Sequence, residues 1–228
     1  LMNKRVAILV DGGFYRKQSF KVKGELSPEA RATELYEYCW RHLAEGKKKE
    51  KRFDELYRIF YYDCSPISKR VYDPLKKETI DFSKSHTKEW TEDFFQELSK
   101  KRKVALRFGE LSEGSVGYSF TTEATKKLLN KSITVDEVKR RHLKLSVQQK
   151  GVDMRIGLDI ASLSFKKQVD KIILIAGDSD FVPAAKLARR EGIDFVLDPL
   201  GNHIKSSLAL HIDGLRVCDN DYADYFKK

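Results

Sequence analysis

The sequence predicts an α/β fold: a mainly parallel central sheet flanked by helices on both faces. Two apolar runs and the way they end carry that prediction. Residues 172–175 place four large aliphatics side by side, the pattern of a strand buried on both faces, as central parallel strands are. Residues 6–10, Val-Ala-Ile-Leu-Val, repeat the pattern near the start. Both runs stop in small residues and acids, Asp11-Gly12-Gly13 after the first and Ala176-Gly177-Asp178-Ser179-Asp180 after the second. Carboxyl ends of parallel strands are where open α/β sheets gather ligands.

The remaining elements follow in order. After Asp11-Gly12-Gly13 the chain reads as a polar loop until Ser27-Pro28-Glu29, a helix start in which Ser can cap and Pro is tolerated at the first position. Leu35, Tyr36, Cys39, Trp40 and Leu43 mark one apolar helical face, and Gly46 ends it. The basic run 47–52 reads as a solvated loop, with phosphate contact as the lesser alternative. Residues 56–62 are rich in β-formers and predict a second strand, ending at Asp63 on the same edge. Residues 64–81, with Pro66 and Pro74, read as loop. Trp90, Phe94, Phe95 and Leu98 give a helix its buried face, and 104–108 a third strand.

Residues 112–141 break the rhythm and predict a basic insertion before the second acidic motif. It carries Lys126, Lys127, Lys131, Lys139, Arg140 and Arg141, and residues 134–137 have capping-box spacing. Both a nucleic-acid clamp and a solvated helical pair fit it. Leu143, Leu145 and Val147 alternate, predicting a short strand that returns to the sheet edge. A helix then opens near Asp153 with Val152, Ile156, Ile160 and Leu163 as its stripe. Asp159, six residues on, points about 120° away from Asp153 at 3.6 residues per turn, so Asp153 is the candidate. After 172–175, Ser179 or Asp180 caps a helix that buries Ala184, Leu187 and Ala188. Residues 193–197 predict a strand, 204–210 a short helix, 215–217 a last short strand, and the tail from Asp219 is polar and expected to fray.

Composition narrows the function. The chain has 228 residues, 41% of them hydrophobic, enough for one large core, and a single domain over 1–228 is expected. Mean hydropathy is −0.52, and no apolar run approaches a membrane span. The opening Leu1-Met2-Asn3-Lys4-Arg5 leads into a strand too short for a signal-peptide core. Cys39, Cys64 and Cys218 are odd in number and lack CxxC spacing, which suits a reducing cytoplasm and argues against zinc. Lys and Arg number 44 against 34 Asp and Glu, a net charge of +10. A body this basic suits a polyanion, although lysines also serve solubility. Carboxylates clustered within it repel unless a cation sits among them, so they predict Mg2+ or Mn2+ bridging protein to phosphate. The histidines lack metal-ligand spacing, no Gly-x-Ser-x-Gly elbow is present, and Asp11-Gly12-Gly13 is not a P-loop.

Three segments carry a resemblance: Val10-Asp11-Gly12-Gly13, residues 150–159 (Lys-Gly-Val-Asp-Met-Arg-Ile-Gly-Leu-Asp) and residues 176–183 (Ala-Gly-Asp-Ser-Asp-Phe-Val-Pro). In order and spacing they resemble the NYN domain, in the LabA-like (DUF88) branch of the PIN-like nuclease superfamily. The resemblance implies a Mg2+- or Mn2+-dependent endoribonuclease that hydrolyses RNA phosphodiesters with a metal-activated water. Carried across by motif, it makes Asp11, Asp153, Asp178 and Asp180 the catalytic and metal-binding set. Asp11 and Asp178 are then the direct ligands, with Asp153 and Asp180 acting through water or positioning the nucleophile. Lys150, Ser179, Gly12 and Gly13 are the expected substrate contacts. Many relatives carry Asn three positions after the first Asp, where this chain has Phe14. RNA is the expected partner, with single-stranded DNA a further substrate and a homo-oligomer left open. The rival reading is a non-catalytic RNA-binding or regulatory module that keeps the fold and the acids without turnover.

Overall fold

The computed structural model describes residues 3–45, 52–112 and 116–225. The first half contains β1 (Arg5–Asp11), α1 (Gly12–Lys23), α2 (Pro28–Arg41), β2 (Ala44–Glu45), β3 (Arg52–Phe53), β4 (Glu55–Cys64), β5 (Arg70–Asp73), β6 (Glu78–Asp81), α3 (His86–Ser99) and β7 (Val104–Leu111). Then follow β8 (Gly117–Phe120), α4 (Thr122–Leu129), β9 (Leu143–Ser146), β10 (Gln149–Lys150) and α5 (Val152–Phe165). The chain closes with β11 (Lys171–Ile175), α6 (Val182–Arg190), β12 (Asp194–Asp198), α7 (Ser206–Ala209), β13 (Gly214–Leu215) and α8 (Asn220–Tyr225).

Seven strands form the central sheet in the order β10-β7-β4-β1-β11-β12-β13. Every neighbouring pair from β7 to β13 is parallel, and only the short β10 is antiparallel, against β7. Taken in chain order, the parallel strands run 3-2-1-4-5-6, so the winding reverses between β1 and β11. That reversal opens a crevice above the carboxyl ends of these two strands, because the connections leave them on opposite sides. Register fixes what stands there: Val10 is level with Ile175, Asp11 with Tyr62, and Ile175 with Asp198.

Alternate side chains of the strands feed two cores, as the period of two requires. On one face Ala7, Leu9, Ile172 and Leu174 meet Val152, Ile156, Ile160 and Leu163 of α5 and Ala185 and Ala188 of α6. On the other, Val6, Ile8, Val10, Ile173 and Ile175 meet Tyr15 of α1, Leu35 and Cys39 of α2, and Phe94 and Phe95 of α3. The strands are therefore apolar throughout, as read from the sequence. Ser27 caps α2 by accepting the Ala30 amide at 3.2 Å, with Pro28 at the first helical position.

Several expectations are corrected. The stretch after Asp11 is helix α1, not loop; it buries Tyr15, Gln18 and Ser19, a face with little aliphatic character. On α2, Tyr38 is fully buried while Trp40 is 44% exposed, so the core takes a neighbour of the expected residue. The segment read as loop contains the hairpin β5–β6. The alternating strand β9 pairs with β8 rather than with the main sheet, whose edge is filled by β10. The capping box at Thr134 and Glu137 forms, but on a single 3-10 turn. Asp178, rather than Ser179 or Asp180, caps the turn leading into α6, and that helix buries Ala185 and Ala188. The tail forms α8, held by the fully buried Tyr222. Gly46 and residues 47–51 lie outside the described residues, and Arg52 begins β3. Among the described residues no helix is long and apolar enough to cross a membrane.

Candidate active site at the switch point

Asp11 ends β1 and caps α1. Its Oδ1 accepts the Phe14 amide at 3.1 Å, which turns the carboxylate toward the helix N-terminus. Packing requires glycine at position 12: a Cβ there would lie 2.5 Å from the Tyr61 ring and 2.6 Å from Asp63 Oδ2. Gly12 is therefore a packing residue. Across the crevice, a Cβ on Gly177 would come within 2.4 Å of the Phe14 ring. Phe14 closes the crevice by packing on the turn that presents Asp178.

Asp178 follows β11, and its Oδ1 accepts the Asp180 amide at 3.1 Å. Asp153 comes from the first turn of α5, which Gly151 opens with φ +79°. Thus three side chains from three distant parts of the chain, Asp11, Asp153 and Asp178, line one open pocket, together with Gly13, Phe14 and Gln149. Asp159 is elsewhere, accepting from the Tyr62 hydroxyl at 2.7 Å and facing Arg107 at 3.3 Å, as its angular offset from Asp153 requires.

The electrostatics match this convergence. Burial pushes the Asp11 carboxyl up to about 6, the Phe14 amide pulls against that, and the charges of Asp153 and Asp63 add to the rise. Asp153 is also raised, by partial burial and then by the charges of Asp178 and Asp180. Among the described residues no lysine, arginine or histidine forms an ion pair with Asp11, Asp153, Asp178 or Asp180. Burial first, and like charges held close without a cation second, raise carboxyl pKa values in this way.

These hard oxygen donors suit Mg2+ or Mn2+, which bind through one or two carboxylates and keep several waters. They do not make a ready-made cage, since no three His, Cys, Asp or Glu side chains among the described residues are placed to hold an ion together. The fit is therefore to a hydrated cation.

The other expected residues stand at the rim or outside it. Ser179 accepts from Lys205 Nζ at 3.1 Å. Asp180 is exposed and reaches the pocket through its effect on Asp153. Lys150 is exposed on β10 and does not line the pocket. Sequence reasoning missed Gln149 and Met154 as lining residues. Gln149 adjoins the Lys150-Gly151 motif, but nothing in its spacing reveals which way it points.

No protein with a curated description matches the chain. Among solved structures it is similar to a crystal structure of a protein of unknown function from Vibrio parahaemolyticus RIMD 2210633, at 14% identity and a TM-score of 0.46, covering 96% of this chain and 95% of that one. The family model described as the NYN domain matches residues 5–207. The chain belongs to the NYN domain family, within the PIN-like nuclease superfamily.

Proposed function

We propose that this NYN protein, of the LabA-like branch, is a Mg2+- or Mn2+-dependent endoribonuclease. The observation that carries the reading is the meeting of Asp11, Asp153 and Asp178 in one pocket without a cationic partner among the described residues. Asp11 and Asp178 would hold the cation directly, with Asp153 and Asp180 in the outer positions. A divalent ion there would supply a more acidic water and offset charge on the phosphate. The chain's own contribution is orientation. Asp153 accepts a hydrogen bond from the attacking water, and Gly13, without a side chain, leaves room for a phosphate at the N-terminus of α1. Lys150 and the Ser179–Lys205 pair offer rim contacts to neighbouring phosphates.

One observation favours the rival, a non-catalytic RNA-binding module: no three-ligand cage is preformed among the described residues; the family resemblance would put Asn where this chain has Phe14. Incubating labelled RNA and single-stranded DNA with Mg2+, Mn2+ or chelator separates the two. The expected result is RNA fragments with metal only, and a loss on the order of 100-fold or more in Asp178→Asn. Fragments in chelator, or an equally active Asp178→Asn, overturn the proposal. RNA held equally well in chelator with no fragments establishes the rival. RNA affinity should fall steeply, more than about 10-fold, between 50 and 200 mM salt as phosphate contacts release counterions.

A further inference from the structure

Asp63, next to last in β4, stands at the carboxyl edge of the sheet and pairs with Arg16 of α1, and Arg16, Leu26 and His86 line one pocket. The first turn of α3 and the segment before α2 therefore share an edge with Asp11. Helix α1 joins these places. Asp11 caps its start and Gly24 its end, a span of about 18 Å at 1.5 Å per residue.

At the far end of α1 lies a second pocket, lined among others by Arg16, Phe20, Leu26, His86, Thr87 and Trp90. Its aromatic wall is fixed: Trp90 Nε1 donates to the Leu26 carbonyl at 2.9 Å, and Phe94 stacks on the indole at 5.3 Å with an 11° tilt. Phe20 is 61% exposed there, so its ring face is open to a ligand in the pocket. Arg16 lines the same pocket, and Asp63 anchors its guanidinium at 2.9 and 2.8 Å. Arg16 thus stands between the two pockets, since Asp63 also acts electrostatically on Asp11.

We propose that this pocket takes a nucleobase of the RNA strand whose phosphodiester lies at the switch-point acids, an inference that rests on the ribonuclease reading. An indole held by its hydrogen bond, an exposed phenyl ring and a guanidinium plane form a surface for a flat π-faced ring, and stacking of this kind is tolerant of sequence. His86 and Thr87, both exposed, offer hydrogen bonds to the ring edge. Glu25 also lines the pocket, and its carboxylate accepts from an exocyclic amino group, favouring a base that carries one.

The chain has two tryptophans, and Trp40 lies near the other end of α2. In the Asp178→Asn, Trp40→Phe protein, Trp90 alone reports, and RNA survives the titration. A single-stranded oligoribonucleotide should quench Trp90, and the same strand built from abasic residues should not. Adding Phe20→Ala should weaken RNA binding about 10-fold while leaving affinity for the abasic strand unchanged. Should RNA bind without quenching Trp90, and equally well with Phe20→Ala, the base pocket is refuted and the ribonuclease reading stands. Should the parent protein fail to bind RNA at any salt concentration, both fall.

Discussion

Asp63 and Asp198 stand at the carboxyl ends of β4 and β12 as Asp11 ends β1 and Asp178 follows β11, yet the outer pair and the inner pair have opposite surroundings. Asp198 is fully buried and saturated: it accepts from the Tyr38 hydroxyl, from His42 Nε2 at 2.8 Å and from the Leu200 amide at 2.8 Å. Asp63 takes both prongs of Arg16, the Tyr61 hydroxyl at 2.9 Å and the Cys64 amide at 2.8 Å. The inner acids have backbone amides and one another. A carboxylate at a strand end is thus a structural part when the fold supplies its countercharge. It becomes a candidate site when the fold withholds that charge, and here this happens where the winding reverses.

The largest effect expected from breaking the contrast is on stability at the outer acids. Asp198→Ala strands His42, Tyr38 and the Leu200 amide, and should cost about 3–5 kcal/mol, as removing one partner of a buried pair does. Asp63→Ala should cost somewhat less, about 2–4 kcal/mol, because the Arg16 side chain is 26% exposed and water screens it. Urea unfolding checks both.

The His42–Asp198 pair also carries a pH signature. Burial works to lower the His42 pKa, but the hydrogen bond that Nε2 makes to Asp198, the nearby Cys218 and the charge of Asp198 outweigh it and hold the group at about 9. Because the folded value lies above the unfolded one, the pair's contribution is complete below about pH 6.5. It is lost as pH rises to about 9, by on the order of 2–3 kcal/mol. Urea midpoints at pH 6 and pH 9.5 should show this drop in the parent protein, and Asp198→Ala should flatten it.

The smallest effect belongs to the inner acids and has the opposite sign. With its carboxyl raised to about 6, Asp11 disfavours the fold once ionised. That penalty is absent below about pH 3.8, where both states are protonated, and complete above about pH 6. Asp11→Asn keeps an oxygen for the Phe14 amide and loses the charge. The metal-free variant should be more stable at pH 7 by about 1–2 kcal/mol, the roughly 3 kcal/mol of the shift less about 1 kcal/mol for the weaker acceptor that Asn offers the Phe14 amide, and no more stable at pH 3.5, measured by thermal unfolding. A destabilised Asp11→Asn at pH 7 would put Asp11 with the outer acids.

What the sequence made legible follows from the same physics. Strands buried on both faces announce themselves as apolar runs, so β1, β4 and β11 and the acids ending them were readable from residues alone. Asp153 was separable from Asp159 by helical angle. Helix α1 was not legible because its buried face is Tyr15, Gln18 and Ser19 rather than aliphatic. The hairpin β5–β6 buries only Val71 and Asp73 on one side. The alternation of β9 predicted a strand, but pairing depends on a partner distant in sequence, and alternation says nothing of it. Countercharge was equally hidden: nothing in the order of residues says that Arg16 reaches Asp63 and leaves Asp11 bare.

The central claim is that the switch-point acids lack a cation of their own because they hold a metal ion. Mn2+ binding followed by electron paramagnetic resonance tests it directly, in the parent protein, Asp178→Asn and Asp63→Asn. Saturable binding in the parent, retained in Asp63→Asn and lost in Asp178→Asn, is the expected result. Binding that is equal in all three, or no saturable binding in any, would contradict it.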